Sequence, residues 1–402
     1  MIGFSLTEEQ RALQTLAREF VKREVKPIVL ERDRIVDPAK CIPWDVVDKG
    51  IKAGFKTLTL AKKYGGAEID SVTMAVMCEE IGAGDLGVAT IFFQGWWKVV
   101  QAIQRLANEK QIQEYLIPWR DNPRGLAGIA MTEPEGGGSD NLLPQTDPNC
   151  GAKLAARRDG EYVILNGMKH YLTLGPVATL WLTFARTDKT KPVNQGLTIF
   201  LVPASTPGMS VGNVHDKMGA RLVPNSEVIF ENVRVPMTAQ LAGWNTGMIE
   251  LGRDVLPTSN ACTAAAILGV ARTAMEMALE YAKTRIQGGV PIIQHQAVQL
   301  KFADMWVNIE TARLLIWRAM AVFDEVFQKG IKEGFDPKVY KSPKLYASEA
   351  ALKTVLEARM ILGGLGIMRD VGMEKLVRDI STYQHADGTN DVLRLAIAHS
   401  LA

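Results

Sequence analysis

The sequence predicts an α+β chain of several domains: an all-helical block, a compact β block, and a second helical block. Three observations predict it. The apolar period is that of a helix from residue 7 to about 120, shortens to two in the middle of the chain, and lengthens again after Gly247. Turn residues punctuate only the middle part densely, and 402 residues exceed what one ordinary core fills. The expected boundaries are an N-terminal helical domain over 1–124, a central β domain over 125–238 and a C-terminal helical bundle over 239–402.

The elements follow in order. Thr7 and Gln10 form a capping box, and Leu13, Leu16, Ala17 and Phe20 share one face of a helix that stops before Pro27. Helical periods continue over 44–53, 71–81, 87–106 and 109–119, with Pro and Gly at the breaks. "GAGDLG", Gly82 to Gly87, matches a dinucleotide fingerprint in letters. It follows a helical run instead of a strand, so a helix-to-helix turn is expected there. From Gly125 come short β-branched runs such as "EYVILNGMKHYLTLG", "TLWLTFART" and "SEVIFENVRVP", and Asp159-Gly160 between alternating runs predicts a hairpin. Helices are expected over 247–284, 295–330, 340–362 and after Gly388.

Lys+Arg 46 against Asp+Glu 44 leaves the chain nearly neutral, which removes the general electrostatic case for nucleic acid or an anionic membrane as partner. No unbroken run of eighteen apolar residues occurs, and "MIGFSLTEEQRAL" lacks a basic-then-apolar leader pattern. A cytoplasmic location is the expectation. Four cysteines without CxxC spacing and five histidines without HxxxH spacing predict neither a disulfide framework nor a metal site.

Chemistry is concentrated in five stretches. "AMTEPEGGGSD", Ala130 to Asp140, combines bare backbone N–H groups with the hydroxyls of Thr132 and Ser139, which suits close wrapping of a polar cofactor. In "KHYLTLG", Tyr171 and Thr173 fall on one face of a strand, where a ring can stack and be hydrogen-bonded. "TRIQGGVPIIQHQ" holds Arg285 as a phosphate fork or a surface ion pair. "ILGGLGI" puts Gly363-Gly364 at a helix end, where a C-cap is the default. In "YQHADGTNDVLRL", Asp387, Thr389 or Asn390 can each cap the helix that follows.

The order and spacing of "MTEP…GSD", "KHYLT", the Arg turn before "HQA", "GG" and a carboxylate-Gly-Thr resemble the acyl-CoA dehydrogenase family along essentially the whole chain. The resemblance implies an N-terminal helical domain, a central β domain and a C-terminal four-helix domain, FAD held between subunits, usually of a homotetramer, and electron-transferring flavoprotein as partner. It implies that Ala130, Met131, Thr132 and Ser139 line the flavin, Ser139 also the substrate, and that Tyr171 and Thr173 flank the isoalloxazine ring. Arg285, Gln296, Gly363 and Gly364 look like residues that reach the FAD of an adjacent subunit, and Thr389 and Asp391 like contacts following the base. Asp387 stands where most of the family has Glu and is implied to be the general base, taking a proton from a CoA thioester as hydride passes to flavin N5. Ser259, Asn260, Phe92, Phe93, Gly388 and Arg394 are the implied substrate contacts.

The chain also departs from the family pattern. Asp is shorter than Glu by one C–C bond, about 1.5 Å. Ala386 replaces a common aromatic, Asn260 stands for a usual Arg, and the glycine loop has one extra residue. A short base with a small neighbour, facing "IFFQGWW" as pocket floor, predicts a bulky, cyclic or aromatic acyl group. Binding of an apolar acyl chain is expected to dry the site and lift such a carboxylate toward the working pH. Two alternatives remain. Asp387, Ser259 and Arg394 also resemble the arrangement of nitroalkane oxidase, and loss of both Glu and Arg resembles a non-dehydrogenating flavoprotein or a desulfinase-like lyase acting on a CoA thioester.

Overall fold

Local capping sets where the chain becomes helical. In the computed structural model, which describes residues 5–135, 138–328 and 336–401, Thr7 and Gln10 exchange the two bonds of the expected capping box at 3.2 and 2.9 Å, opening α1 (Glu8–Phe20). Ala17 and Phe20 are buried as the period predicts, but Leu16 is 44% exposed. Gln10, tied into the cap and bonded to Asp70 at 3.3 Å, is buried instead. Helices α2 (Trp44–Lys52), α3 (Ser71–Gly82), α4 (Leu86–Phe92) and α5 (Val99–Leu106) follow, α4 and α5 being joined by a wide π-type turn over Phe93–Lys98. Asp85 caps α4 through the N–H of Val88 at 2.8 Å, so "GAGDLG" is a helix-to-helix turn.

The middle of the chain forms one sheet. Its strands are β1 (Ala127–Ala130), β2 (Ala155–Asp159), β3 (Tyr162–Thr173), β4 (Leu180–Arg186), β5 (Leu197–Pro203), β6 (Met209–Val214), β7 (Asn225–Pro236) and β8 (Gln240–Leu241). They lie in the order β6-β7-β3-β2-β4-β5-β8, with β1 parallel to β4. The hairpin stands where Asp159-Gly160 predicts it: Asp159 pairs with Tyr162, and Gly160 supplies the positive φ of +61° that the tight turn requires. Strand β6 is not apparent in the sequence, because all six of its residues are only half-buried or exposed and no clean alternation marks them.

After Gly247 the chain is helical again: α6 (Leu256–Thr284), α7 (Gln296–Gln328), α8 (Pro337–Ile361), α9 (Met373–Thr382) and α10 (Asn390–His399). The helical run Gly247–Thr284 contains an eighteen-residue window of mean hydropathy 1.3, long and apolar enough to cross a membrane, yet 72% of that window is buried within this chain. Its neighbour α3 crosses it at two glycines. A Cβ on Gly269 would stand 2.1 Å from Glu79 O, and one on Gly82 would stand 2.3 Å from Ala266 O.

Helix α9 is absent from the sequence-based expectation, and its buried face explains why. That face carries Lys375 and Asp379 beside Met373 and Ile380. The Lys375 ammonium, 3% exposed, lies 2.5 Å from Asp85 and 2.6 Å from Asp379. Charges buried by mutual pairing break the apolar period that would reveal the helix.

Candidate active site

The three blocks meet at a cavity of about 740 Å³. Its walls come from the turn between α4 and α5, the end of β1, the end of β3, the loop between β6 and β7, the first turns of α6 and the segment before α10. Asp387 stands on this wall with its side chain 22% exposed.

The backbone there is unusual. Asp387 has φ +54° and Gly388 φ +89°, two successive left-handed residues, a region that Asp tolerates better than most and Gly enters freely. Asn260 Nδ2 donates to Asp387 O at 3.1 Å, and Lys344 Nζ donates to Gly388 O at 2.9 Å and Gln384 O at 3.3 Å, which fixes the turn from two helices. Capping falls to Thr389, whose Oγ1 accepts from Val392 N. Asp387 is therefore free of the helix end.

Its two oxygens are treated differently. Oδ2 accepts from Ser259 Oγ at 2.8 Å and from Thr263 Oγ1, and lies 3.5 Å from Lys98 Nζ. Oδ1 takes no hydrogen bond among the described residues. Burial alone would raise the carboxyl's pKa, but Lys98, the Thr263 and Ser259 hydroxyls and the charge of Lys344 together outweigh it and hold the pKa below the ordinary aspartate value. The dryness of burial is thus offset by a cation that the sequence reading did not place, and the lift expected on binding of an apolar acyl chain would start from this lowered value. The signal for Lys98 was a lone charge ending the apolar run "IFFQGWWK".

Of the other sequence-predicted residues, Met131, Thr132, Ser139, Tyr171, Thr173, Phe93, Ser259, Gly388 and Thr389 line the cavity, and Ala386 lines it too. Tyr171 and Thr173 share its wall although a bulge between Lys169 and Leu172 interrupts the strand, because Tyr171 turns through φ +57°. The "MTEP" loop is anchored by Glu133, whose carboxylate accepts from Lys169 Nζ at 2.7 Å and from the N–H groups of Lys153 and Leu154. Gly136 and Gly137 of the glycine run lie outside the described residues.

Several residues are placed elsewhere. Ala130 ends β1 in the core, and Asn260 reaches only the backbone of Asp387. Phe92 stacks on Trp96 with ring centroids 4.4 Å apart, and Trp97 donates to Phe55 O, so of the aromatic stretch only Phe93 faces the cavity. Asp391 is 90% exposed and pairs with Arg394, whose other partner is Glu349, because α10 turns that face outward. Arg285, Gln296, Gly363 and Gly364 are exposed and contribute nothing to this cavity within one chain. Lys217 was not foreseen. It lines the cavity, bonds Asn225 Oδ1 at 2.6 Å and Val223 O, and is pushed down to about 7 by burial.

Sequence profiles of the acyl-CoA dehydrogenase N-terminal, middle and C-terminal domains match residues 7–121, 128–233 and 252–402. A 3-(aryl)acrylate reductase of Clostridium sporogenes is 33% identical over 98% of this chain and 99% of its own. A cyclohex-1-ene-1-carbonyl-CoA dehydrogenase of Geobacter metallireducens is 31% identical over 98% of both. Butyryl-CoA dehydrogenase of Megasphaera elsdenii superposes with a TM-score of 0.88 at 30% identity over the whole of both chains. A glutaryl-CoA dehydrogenase of Mycobacterium smegmatis in complex with FADH2 superposes at 0.83, with 26% identity over 99% and 95% of the two chains. Helical, β and helical domains closing on one carboxylate-bearing cavity thus define a class of three-domain enzymes. The chain belongs to the acyl-CoA dehydrogenase family.

Proposed function

We propose that the protein is an FAD-dependent acyl-CoA dehydrogenase acting on a CoA thioester with a bulky, cyclic or aryl-bearing acyl group, with Asp387 as base. The observation that carries this reading is the asymmetry of Asp387: Oδ2 is held by Ser259 and Thr263 while Oδ1 is left open on the cavity wall. A carboxylate fixed by one oxygen and free at the other is aimed, as proton abstraction from carbon requires.

The walls fit the flavin. Thr132 and Ser139 carry hydroxyls with no side-chain hydrogen bond among the described residues, and Tyr171, 60% exposed, presents a ring at the same cavity. FAD, when bound, supplies the hydride acceptor. Asp387 Oδ1 takes the proton α to the thioester, and Phe93, Leu251 and Val255 keep water from that end of the cavity. Ala386 leaves room beside the base where the family commonly has an aromatic, which supports a bulky acyl group, as do the names of the aryl and cyclic relatives.

Assembly into a homotetramer is part of the proposal. Leu300, Val307 and Leu314 are exposed at seven-residue spacing on α7, one apolar stripe suited to a partner helix. Arg285, Gln296, Gly363 and Gly364 would then meet a neighbouring copy's FAD. Electron-transferring flavoprotein as electron acceptor rests on family likeness.

The Ser259–Asp387 bond also favours a second reading, an oxidase of carbon acids similar to nitroalkane oxidase, but Arg394 is engaged with Glu349 and Asp391. Anaerobic titration of the flavin absorbance separates the two. Bleaching by aryl- or cyclohexyl-bearing CoA thioesters is expected. Best turnover on butyryl- or octanoyl-CoA would end the bulky assignment, and bleaching by nitroethane without CoA would select the oxidase.

A further inference from the structure

We propose that Lys98 is the positioning residue of Asp387: its ammonium, acting directly and through Ser259, keeps the carboxylate ionised with Oδ1 turned to the cavity. This rests on the reading of Asp387 as the base.

The geometry allows one direction for the chain of bonds. An ammonium only donates and a carboxylate only accepts. Ser259 Oγ therefore accepts from Lys98 Nζ at 2.6 Å and passes its own proton toward Asp387 Oδ2 at 2.8 Å. Lys98 has a side chain only 2% exposed, and among the described residues its polar partners are Ser259 and Asp387, with the Phe93 ring centroid 5.1 Å away. A buried ammonium is tolerated only when paired, so its charge is directed to this carboxylate. Lys98 ends the wide turn Phe93–Lys98, an irregularity that in helices frequently marks functional positions. All three contacts fall on Oδ2. The rotation that would hide Oδ1 costs the carboxylate a cation and two hydroxyls.

The charged and titratable groups that face Asp387 or Lys98 from neighbouring elements are Lys344 on α8, Tyr383 and His385 on the preceding segment, and the buried Cys78 and Cys262 on α3 and α6. Lys344 spends its hydrogen bonds on Gln384 O, Gly388 O and Asn390 Oδ1 and touches no carboxylate oxygen of Asp387. Lys98 is the cation in contact.

The test follows the carboxylic C=O stretch of Asp387 by infrared titration of the holoenzyme, the band being assigned by its loss in Asp387→Asn. In Lys98→Met the midpoint should move up by about one pH unit or more, the effect of removing an opposite charge within reach. Lys98→Arg should stay near the wild type, and Ser259→Ala should move up by less than Lys98→Met. Coincident titrations of wild type and Lys98→Met would overturn the proposal. So would an unmoved midpoint in Ser259→Ala, a variant that keeps the buried charge should Lys98→Met fail to fold. The band is read without substrate. A protein on which no thioester turns over would therefore refute the functional reading and leave this test standing.

Discussion

Ser259 and Asp387, 128 residues apart in sequence, meet through a hydrogen bond of 2.8 Å from Oγ to Oδ2. With Thr263 on the next turn of α6 also bonded to Oδ2, the carboxylate has little freedom to slide. Lengthening it by one carbon advances the carboxyl by about 1.5 Å, while the hydroxyls that position it stay where they are. Asp387→Glu is therefore expected to lower kcat by roughly a hundredfold, the usual cost of a misplacement of about 1 Å. Asp387→Asn, which removes the proposed base, should cost about 10²–10⁴ in kcat. Flavin content measured at the same time should be unchanged, because neither variant touches Thr132 or Ser139.

Stability at low pH should depend on Glu80. Burial raises its pKa, but the guanidinium groups of Arg18 at 2.7 Å and Arg272 at 2.6 Å outweigh burial and leave it lowered from 4.5. A lowered folded pKa means that the unfolded chain binds the proton more readily. The stabilisation is thus complete above about 4.5 and is lost as pH falls through the folded value. Arg18 is half exposed and screened by solvent, so most of the effect lies with Arg272. Urea unfolding from pH 7 to pH 3 should show a falling midpoint in the wild type. Glu80→Gln should be destabilised by roughly 2 kcal/mol at pH 7 and show a flatter acid limb.

Much of this architecture is legible in residue order, and the exceptions share a cause. Thr7 with Gln10, Asp85 before α4 and Asp159-Gly160 act through neighbours three residues away or fewer, and their structures follow directly from the local chain. Tyr171 and Thr173 line the cavity, and the family motif already carries their spacing. What the sequence hides is long-range charge pairing. Lys375 with Asp85 buries a polar face of α9, and Lys98 with Ser259 holds the Asp387 carboxyl below the ordinary aspartate pKa. Helical period also leaves open which face of an all-apolar helix meets the cavity. Phe92, Trp96 and Trp97 therefore pack into the core away from the cavity, and of the four aromatics Phe93, equally buried, lines it.

The crossing of α3 and α6 sets the distance between two walls of the interior, and Gly269 sits at the contact. A methyl there would meet Glu79 O at 2.1 Å and Ala83 N at 2.5 Å, both backbone atoms that cannot rotate away. Gly269→Ala should force the helices apart and cost about 1–3 kcal/mol, in the range of overpacked cores. A lowered Tm by calorimetry checks it. Gly252→Ala is the control, since nothing lies within 4 Å of a Cβ at that position and the unfolding temperature should hold.

The apolar stripe on α7 gives the last prediction. Met305, Ile309, Ala312 and Ile316 turn one face of the helix into the core, while Leu300, Val307 and Leu314 stand exposed on the opposite side, Val307 at 58%. Three apolar residues spaced by seven form a seam that a second helix can cover, and a charge in its middle cannot be buried without a partner. Val307→Glu should leave the fold of the single chain intact, because its side chain contacts solvent there. It should still lower the mass measured by light scattering from that of the proposed assembly toward 44.1 kDa. On the proposed assembly, in which Arg285, Gln296, Gly363 and Gly364, all away from their own chain's cavity, meet a neighbouring copy's FAD, flavin should be lost in parallel. A variant that keeps its mass, or one that dissociates and stays fully yellow, would contradict the shared-site arrangement.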